Sequence, residues 1–299
     1  MNGRKDEFSY LHPVINFIYF FFVLCFSMFF MHPVFLLISL LSSAMYLAYI
    51  VGREGFLKKL RFAVLFFFFI VILNPLFNHQ GVTILFYLKS GNPMTLESMV
   101  YGVAAASMFL SVLSWFSCYN HVMTSDKFIY LFGRLIPALS LVFSMALRFV
   151  PRYRHQAQVI LRSQECMETT TQRRTYLAKI RRGARILSIL VTWALENAIE
   201  TADSMRARGY GLPGRTAFSI YRWSVRDRNL FLVIVGLAFL VIVGAIAGEN
   251  TIQYYPSIKI KDIRLGSFVI YTAYALLCNT ALMFNLWEDK KWKSFESTI

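Results

Sequence analysis

The sequence predicts an all-α integral membrane protein. About six transmembrane helices are expected, with a cytoplasmic domain of two or three long helices inserted between the fourth and the fifth. Three observations lead there. Hydrophobic residues make up 57% of the 299 positions and the mean hydropathy is +0.51, beyond the range of a soluble domain. Several runs approach the roughly 20 apolar residues that a helix needs to cross a bilayer. Residues 152–228 hold 15 Lys and Arg against six acids, which places nine of the formal +15 charges in one block.

The elements follow in chain order. Val14–Met31 lies too far from the start for a short cleaved signal and runs straight into a second apolar segment, so it reads as a retained helix. His32-Pro33 divides it from a second span at 33–51, because proline disfavours helix in the residue before it. The next stretch carries Arg53, Lys58, Lys59 and Arg61 against Glu54 and is expected as a cytoplasmic loop. A third span covers 61–78, ended or kinked by Asn74-Pro75. After it, Asn78-His79-Gln80-Gly81 is uncharged and expected to face outward. Residues 82–88 are β-branched and aromatic and fit either a short strand or part of a re-entrant loop. The remaining spans are 96–118, 229–248 and 266–286. At the mouth of the fourth, Glu97 reads as a solvated first-turn acid or as an intramembrane carboxylate.

Residues 127–150 are apolar but punctuated by Lys127, Arg134, Pro137 and Arg148. If they crossed the membrane, the basic block would lie outside, against the rule that Lys and Arg collect in cytoplasmic loops. An interfacial placement keeps the block inside, together with both termini (Arg4 and Lys5; Lys290, Lys291 and Lys293). Lys259, Lys261 and Arg264 in the 249–265 loop count mildly against this topology. The resulting organisation is 1–126, four transmembrane helices; 127–228, interfacial and cytoplasmic helices; and 229–299, the last transmembrane helices. Within the block, 152–168 and 174–208 read as helices. In the second, Leu177, Ile180, Ile186, Leu190, Trp193 and Leu195 recur near helical spacing. Gly209, Gly211 and Pro213 are stop signals, with Gly209 suited to the left-handed position after a helix end.

Composition also excludes functions. The four cysteines (Cys25, Cys118, Cys166, Cys278) are scattered singly, with no C-x-x-C or Cys/His cluster for a disulfide framework or a metal site. A pI near 9.8 is explained by the cytoplasmic charge bias, and no nucleic-acid-binding signature accompanies it. There is no phosphate-binding G-x-x-x-x-G-K-[ST] loop, so ATP hydrolysis would have to come from partners. A membrane-embedded enzyme acting on lipid or phosphate-bearing substrates is the rival reading. It would need clustered Asp, Glu or His at the interface, and the sequence offers none.

Arg208 closes a long helix between small Ala207 and Gly209. The arrangement can insert a planar guanidinium into a groove, or it can complement the negative end of the helix dipole. Its context carries a resemblance. The run from Glu196 to Gly211, ending Met205-Arg206-Ala207-Arg208-Gly209, resembles the second coupling motif of the EcfT/CbiQ family, the transmembrane (T) components of energy-coupling factor transporters. The resemblance extends to Asn74-Pro75-Leu76-Phe77-Asn78-His79-Gln80-Gly81, to Glu97 with Tyr101-Gly102, to Ala146-Leu147-Arg148-Phe149-Val150-Pro151, and to the order of apolar and basic segments over most of the chain. It implies a coupling subunit, not itself an enzyme and without a cofactor of its own, in the cell membrane. The implied partners are two ABC-type ATPases holding ATP and Mg, and a separate integral membrane S component that binds a vitamin or transition-metal ion.

In that family two arginine-bearing motifs each dock one ATPase. The second falls here on Arg206, Ala207, Arg208 and Gly209. The first falls by position on Arg162, Gln164, Cys166, Met167 and Glu168, where no Ala-Arg-Gly is present. Either Arg162 supplies the charge or Met167 makes a mainly apolar contact, and the asymmetry favours two non-identical ATPases. Arg148 and Pro151 read as a hinge between interfacial and cytoplasmic helices, or as a helix end with an interface-snorkelling arginine.

Overall fold

The computed structural model describes residues 6–87, 93–133, 137–167, 176–212, 221–260 and 265–296. Its helices are α1 (Pro13–Phe29), α2 (Pro33–Phe77), α3 (Leu96–Val122), α4 (Ser125–Gly133), α5 (Pro137–Met167), α6 (Tyr176–Ala207), α7 (Val225–Ile246) and α8 (Leu265–Glu296). A 3-10 turn spans Glu7–Tyr10, and two small hairpins pair β1 (Ile84–Tyr87) with β2 (Pro93–Thr95) and β3 (Ile252–Gln253) with β4 (Lys259–Ile260). The chain forms two compact units, Met1–Lys127 with Tyr221–Ile299, and Phe128–Ile220. The expected first and third segments therefore fold together. The units divide at 127/128 and 220/221, and Ser224 and Asp227 close a capping box that starts α7 at Val225.

The first unit is a helical membrane bundle. Among the described residues, α2, α3, α7 and the Gly266–Trp292 part of α8 are long and apolar enough to cross a membrane, and α1 is a shorter apolar helix. All six expected apolar segments lie on these five helices, because α2 carries two of them. Where a cytoplasmic loop was expected at 53–61, α2 has one non-helical residue, Gly52 (φ 77, ψ 169). A side chain rarely adopts this backbone, and glycine does so without steric cost. The chain reverses there. Before Gly52, Leu36 packs near Ala104 and Tyr46 near Trp115, so the first half runs parallel to α3. After it, Lys59 bonds Ser117 and Asn74 lies beside Gly102, so the second half runs antiparallel to α3. Pro75 is absorbed inside the helix, which ends two residues later at Phe77.

Pairing of the other helices gives two distinct ends. α1 and α8 are antiparallel, with Phe8 bonded to Asn285 and Tyr19 to the Cys278 carbonyl. α7 and α8 are also antiparallel, with Arg226 bonded to Glu288 and Gly244 against Ile270. Arg53, Lys58, Lys59, Arg226, Lys290 and Lys291 therefore gather towards one end. Lys127 and Tyr221, where the chain leaves and re-enters the unit, lie there too: Lys127 bonds Ser9 and Tyr221 packs near His12. At the other end the described loops 78–87, 93–95 and 247–260 carry Lys259 as their only Lys or Arg. Lys261 and Arg264, like Arg4, Lys5 and Arg134, lie outside the described residues.

The weakly charged end is built from short polar contacts. Asn78 Nδ2 donates to the Tyr255 hydroxyl at 2.9 Å, and the Tyr254 hydroxyl donates to the Met31 carbonyl at 2.6 Å. Residues 84–87 form the strand alternative of the sequence reading. Glu97 is in the first turn of α3, as expected, but it is buried instead of solvated, because the Thr83 amide (3.2 Å) and hydroxyl both donate to it. His32 is an N-cap, its Nδ1 accepting from the Val34 amide at 3.4 Å, and His12 repeats the device before Pro13. All four cysteines are free: Cys118 and Cys278 are buried, Cys25 is partly buried and Cys166 is exposed.

A polar node closes the basic end. Buried Lys127 donates to the Val122 carbonyl at 2.7 Å, to the Ser9 hydroxyl at 3.1 Å and to the Ser9 carbonyl. Beside it, Asn285 accepts from the Phe8 amide at 2.8 Å and donates to Asp6, which also accepts from the Tyr46 hydroxyl. Burial pushes the Lys127 ammonium down to about 8, with the Asp6 carboxylate opposing the shift. The folded pKa lies below the unfolded value of about 10.4. Between the two the unfolded chain binds more protons, so stability should rise as pH climbs from about 8 towards 10.4. We predict that the melting temperature of the wild type gains on Lys127→Met across this window. Parallel melting curves at pH 7.5, 8.5 and 9.5 check it, and a constant difference would show that the ammonium stays charged throughout.

Candidate functional site

The second unit centres on α5 and α6, and neither forms as a simple amphipathic helix. On α6 the partly buried positions are Ala194 and, in a stripe of three- and four-residue steps facing α5, Ala178, Arg182, Ile186, Leu190, Trp193, Asn197, Thr201 and Met205. The expected apolar face mixed two surfaces. Ile186, Leu190 and Trp193 belong to the stripe, whereas Leu177, Ile180 and Leu195 are exposed. With Leu187, Val191 and Ile199 they make a second apolar surface that no described residue of this unit covers. Binary patterning detects apolar spacing but cannot say which of two stripes is used.

The two helices run antiparallel. Arg152 Nη2 donates to Asn197 Oδ1 at 2.8 Å, and its guanidinium lies 5.3 Å from the Trp193 ring centre. Tyr153 meets the same ring edge-on at 5.7 Å, and at the far end Arg182 approaches Glu165 at 4.0 Å. This clamp explains a second difference from expectation. A helix boundary was expected at Pro151, yet α5 continues from Pro137 to Met167. Proline removes a helical hydrogen bond, but Arg152 and Tyr153 fasten the next turn to α6, so packing carries the helix across.

At the other terminus of α6 the chain stops as the sequence predicts. Gly209 has φ 80, its amide donates to the Arg206 carbonyl, and the Tyr210 amide donates to the Met205 carbonyl, both at 3.0 Å. These two bonds define a Schellman ending. Pro213 lies outside the described residues.

This geometry sorts the expected site residues. Arg148, Pro151 and Arg208 line one groove of about 610 Å³, walled also by Met145, Arg152 and Glu200. Among the described residues, the guanidinium of neither Arg148 nor Arg208 makes a hydrogen bond or ion pair. Both are exposed, so two guanidiniums sixty residues apart in sequence line the same groove. Arg206 and Ala207 are exposed on the same helix end. The first expected motif is elsewhere. Met167, 72% exposed, sits at the end of α5, on the side where Glu165 faces Arg182. From Arg182 to Arg208 α6 climbs roughly 39 Å at about 1.5 Å per residue. Arg162 and Cys166 are exposed there, but Gln164 is buried on the stripe of Tyr153 and Ile160 and is not presented to a partner. Glu168 lies outside the described residues. The Arg152–Trp193–Asn197 clamp went unread in the sequence, although an arginine directly after a proline and a tryptophan on the helix stripe were visible signals.

An arginine pair lining one groove, without a metal-binding cluster among the described residues, suits recognition of carboxylates or carbonyls on another chain. The chain is similar to EcfT proteins. It is 32% identical over 117 residues to the energy-coupling factor transporter transmembrane protein EcfT of Thermotoga maritima, covering 39% of this chain and 43% of that one. The EcfT of Exiguobacterium sibiricum is 30% identical over 105 residues (35% and 40%), and that of Lactobacillus helveticus 31% over 109 residues (35% and 39%). The match thus spans about two-fifths of the length of these EcfT relatives. No protein-family model matches the chain.

The helix ending itself is testable. Gly209→Ala should cost about 1 kcal/mol, because a side chain is disfavoured at positive φ, and the new Cβ would lie 3.1 Å from Leu212 Cδ1. Hydrogen exchange at the Tyr210 amide should speed up by roughly fivefold if local opening governs it. Unchanged protection would mean that this ending contributes nothing to order at Arg208.

Proposed function

We propose that this chain is the transmembrane component of an energy-coupling factor transporter, a scaffold that passes ATP-driven movement of two partner ATPases to a separate substrate-binding membrane subunit for uptake of a vitamin or a transition-metal ion. The observation that carries the reading is the groove in which Arg208, fixed by its glycine ending, stands with Arg148 on a continuous helix. An acidic or carbonyl-rich partner surface seated there would move α5 and α6 together, because the Arg152 clamp binds one helix to the other. ATP and Mg belong to the partners. The roughly 39 Å between Arg182 and Arg208 gives the Met167 end room for a second ATPase, with a mainly apolar contact in place of an arginine. The similarity to EcfT proteins supports the same reading.

Two experiments test it. A buried, charge-paired arginine at an interface costs about 2–5 kcal/mol when truncated. Arg208→Ala should therefore weaken ATPase binding by at least tenfold, Arg208→Glu more, and Arg208→Lys should rescue in part because a point charge lacks the fork. Transport and ATPase activity of the purified complex, beside a melting curve, measure this. Full transport by Arg208→Glu in an assembled complex would remove the coupling role.

The charge asymmetry of the bundle supports a cytoplasmic basic end, and with it a cytoplasmic Cys166, whose exposed thiol can report the side. In a variant retaining only Cys166, a membrane-impermeant maleimide should label inverted vesicles and leave intact cells unlabelled. Labelling of intact cells would reverse the topology.

A further inference from the structure

The second half of α2, residues 53–77, has two faces with different chemistry. One packs on α3 through Lys59, bonded to Ser117 at 2.5 Å, and through Asn74 beside Gly102. The other meets nothing in the unit. Along it Phe62, Leu65, Phe69 and Ile72 follow in helical steps, each 58% exposed or more, and with Phe66 and Phe68 they enclose an apolar groove of about 420 Å³. From Phe62 to Ile72 the helix rises roughly 15 Å, half of a hydrocarbon core about 30 Å thick. The groove is one leaflet deep.

Its basic end continues on the same stripe. Lys58 lies one turn before Phe62, and Arg61 stands beside them. Both are exposed, and among the described residues neither makes a hydrogen bond or ion pair. Glu54 lies one turn further out without pairing to Lys58, and Lys59 completes three cations to one acid over 54–61. Long cationic side chains at the end of an apolar face reach the headgroup level while their stems stay in hydrocarbon. Helix–helix contacts in membranes favour small residues that let backbones approach. This stripe has only phenylalanine, leucine and isoleucine, whose ridges suit a flexible chain better than a helix.

We infer that this face binds one anionic phospholipid from the leaflet at the basic end, its phosphate between Lys58 and Arg61 and an acyl chain along the phenylalanine groove. The site rests on membrane insertion alone and stands whether or not the chain couples ATPases.

The full-length protein in mild detergent is titrated with phosphatidylglycerol or with phosphatidylcholine of the same chains, and bound lipid is counted by native mass spectrometry. Phosphatidylglycerol should be preferred. Each cation near a membrane surface contributes about a fivefold affinity for anionic lipid, so Lys58→Ala with Arg61→Ala should lose roughly twenty-five-fold. Arg53→Ala, which removes a charge five residues before Lys58 and off its stripe, should lose no more than about the fivefold of a single cation, and Leu65→Trp should obstruct the groove with the charge intact. Equal retention of the two lipids by the wild type, or a loss in Arg53→Ala as large as in the double variant, would overturn the site. A photo-crosslinking residue at Phe69 in native membranes should form lipid adducts, and an adduct to another protein chain would show that the face is a subunit interface instead.

Discussion

The bundle depends on one buried lysine side chain. Lys127 is the last residue before the chain leaves the first unit, and it holds the carbonyl at the end of α3 together with both oxygens of Ser9. A helix end leaves its final carbonyls without partners, and near a membrane such groups are costly unless the protein satisfies them. Lys127 meets that need for α3 and fastens the amino-terminal turn in the same contact. Asp6, Asn285 and Tyr46 extend the node to α8 and to the first half of α2. Four separated stretches of sequence are thus fixed at the point where the second unit begins. The ammonium remains partly desolvated, which is why its pKa falls to about 8.

The second unit is organised on the opposite principle. α6 buries none of its residues fully, so its hold on α5 rests on a few specific contacts. The guanidinium of Arg152 does two jobs at once, accepting the Trp193 ring as a cation–π partner and donating to Asn197. Contacts of this kind at an exposed site are worth about 0.5–1 kcal/mol each. Such a pair is stiff along its axis because both helices are continuous, yet only modestly fixed sideways. Large exposed side chains such as Leu187, Leu195 and Ile199 leave apolar surface that a monomeric soluble protein would seldom show.

Apolar segments and their order were legible in the sequence because a bilayer demands long runs of one kind of residue. Charge-poor loops and basic loops were legible for the same reason. The reversal between the second and third spans was expected, but not that a single residue inside α2 makes it. Gly52 is one glycine among charged residues, and composition assigns Arg53–Arg61 to a loop although the chain re-enters helix at once. Pro151 misled in the other direction: local propensity ends a helix there, and tertiary contacts of the next two residues override it. Gly209 was readable, since a glycine after a long helix and before a Gly-Leu-Pro stretch has few other conformations. Which side chains share the groove was not readable at all. Arg148 and Arg208 are sixty residues apart, and only the antiparallel register of α5 and α6 brings them together.

That register also separates what the sequence had grouped. The two stretches expected to contact partners lie at opposite ends of the helix pair, one ending in an arginine fixed by a left-handed glycine and the other in an exposed methionine. A planar guanidinium selects a partner by hydrogen-bond geometry, whereas a thioether adapts to whatever apolar surface it meets. The exposed apolar stripe of α6 lies between these two ends. Rigidity along the helices, weak lateral fastening and unequal ends are therefore consequences of the same few residues: Arg152 and Trp193 in the middle, Gly209 behind Arg208 at one terminus, and Met167 at the other.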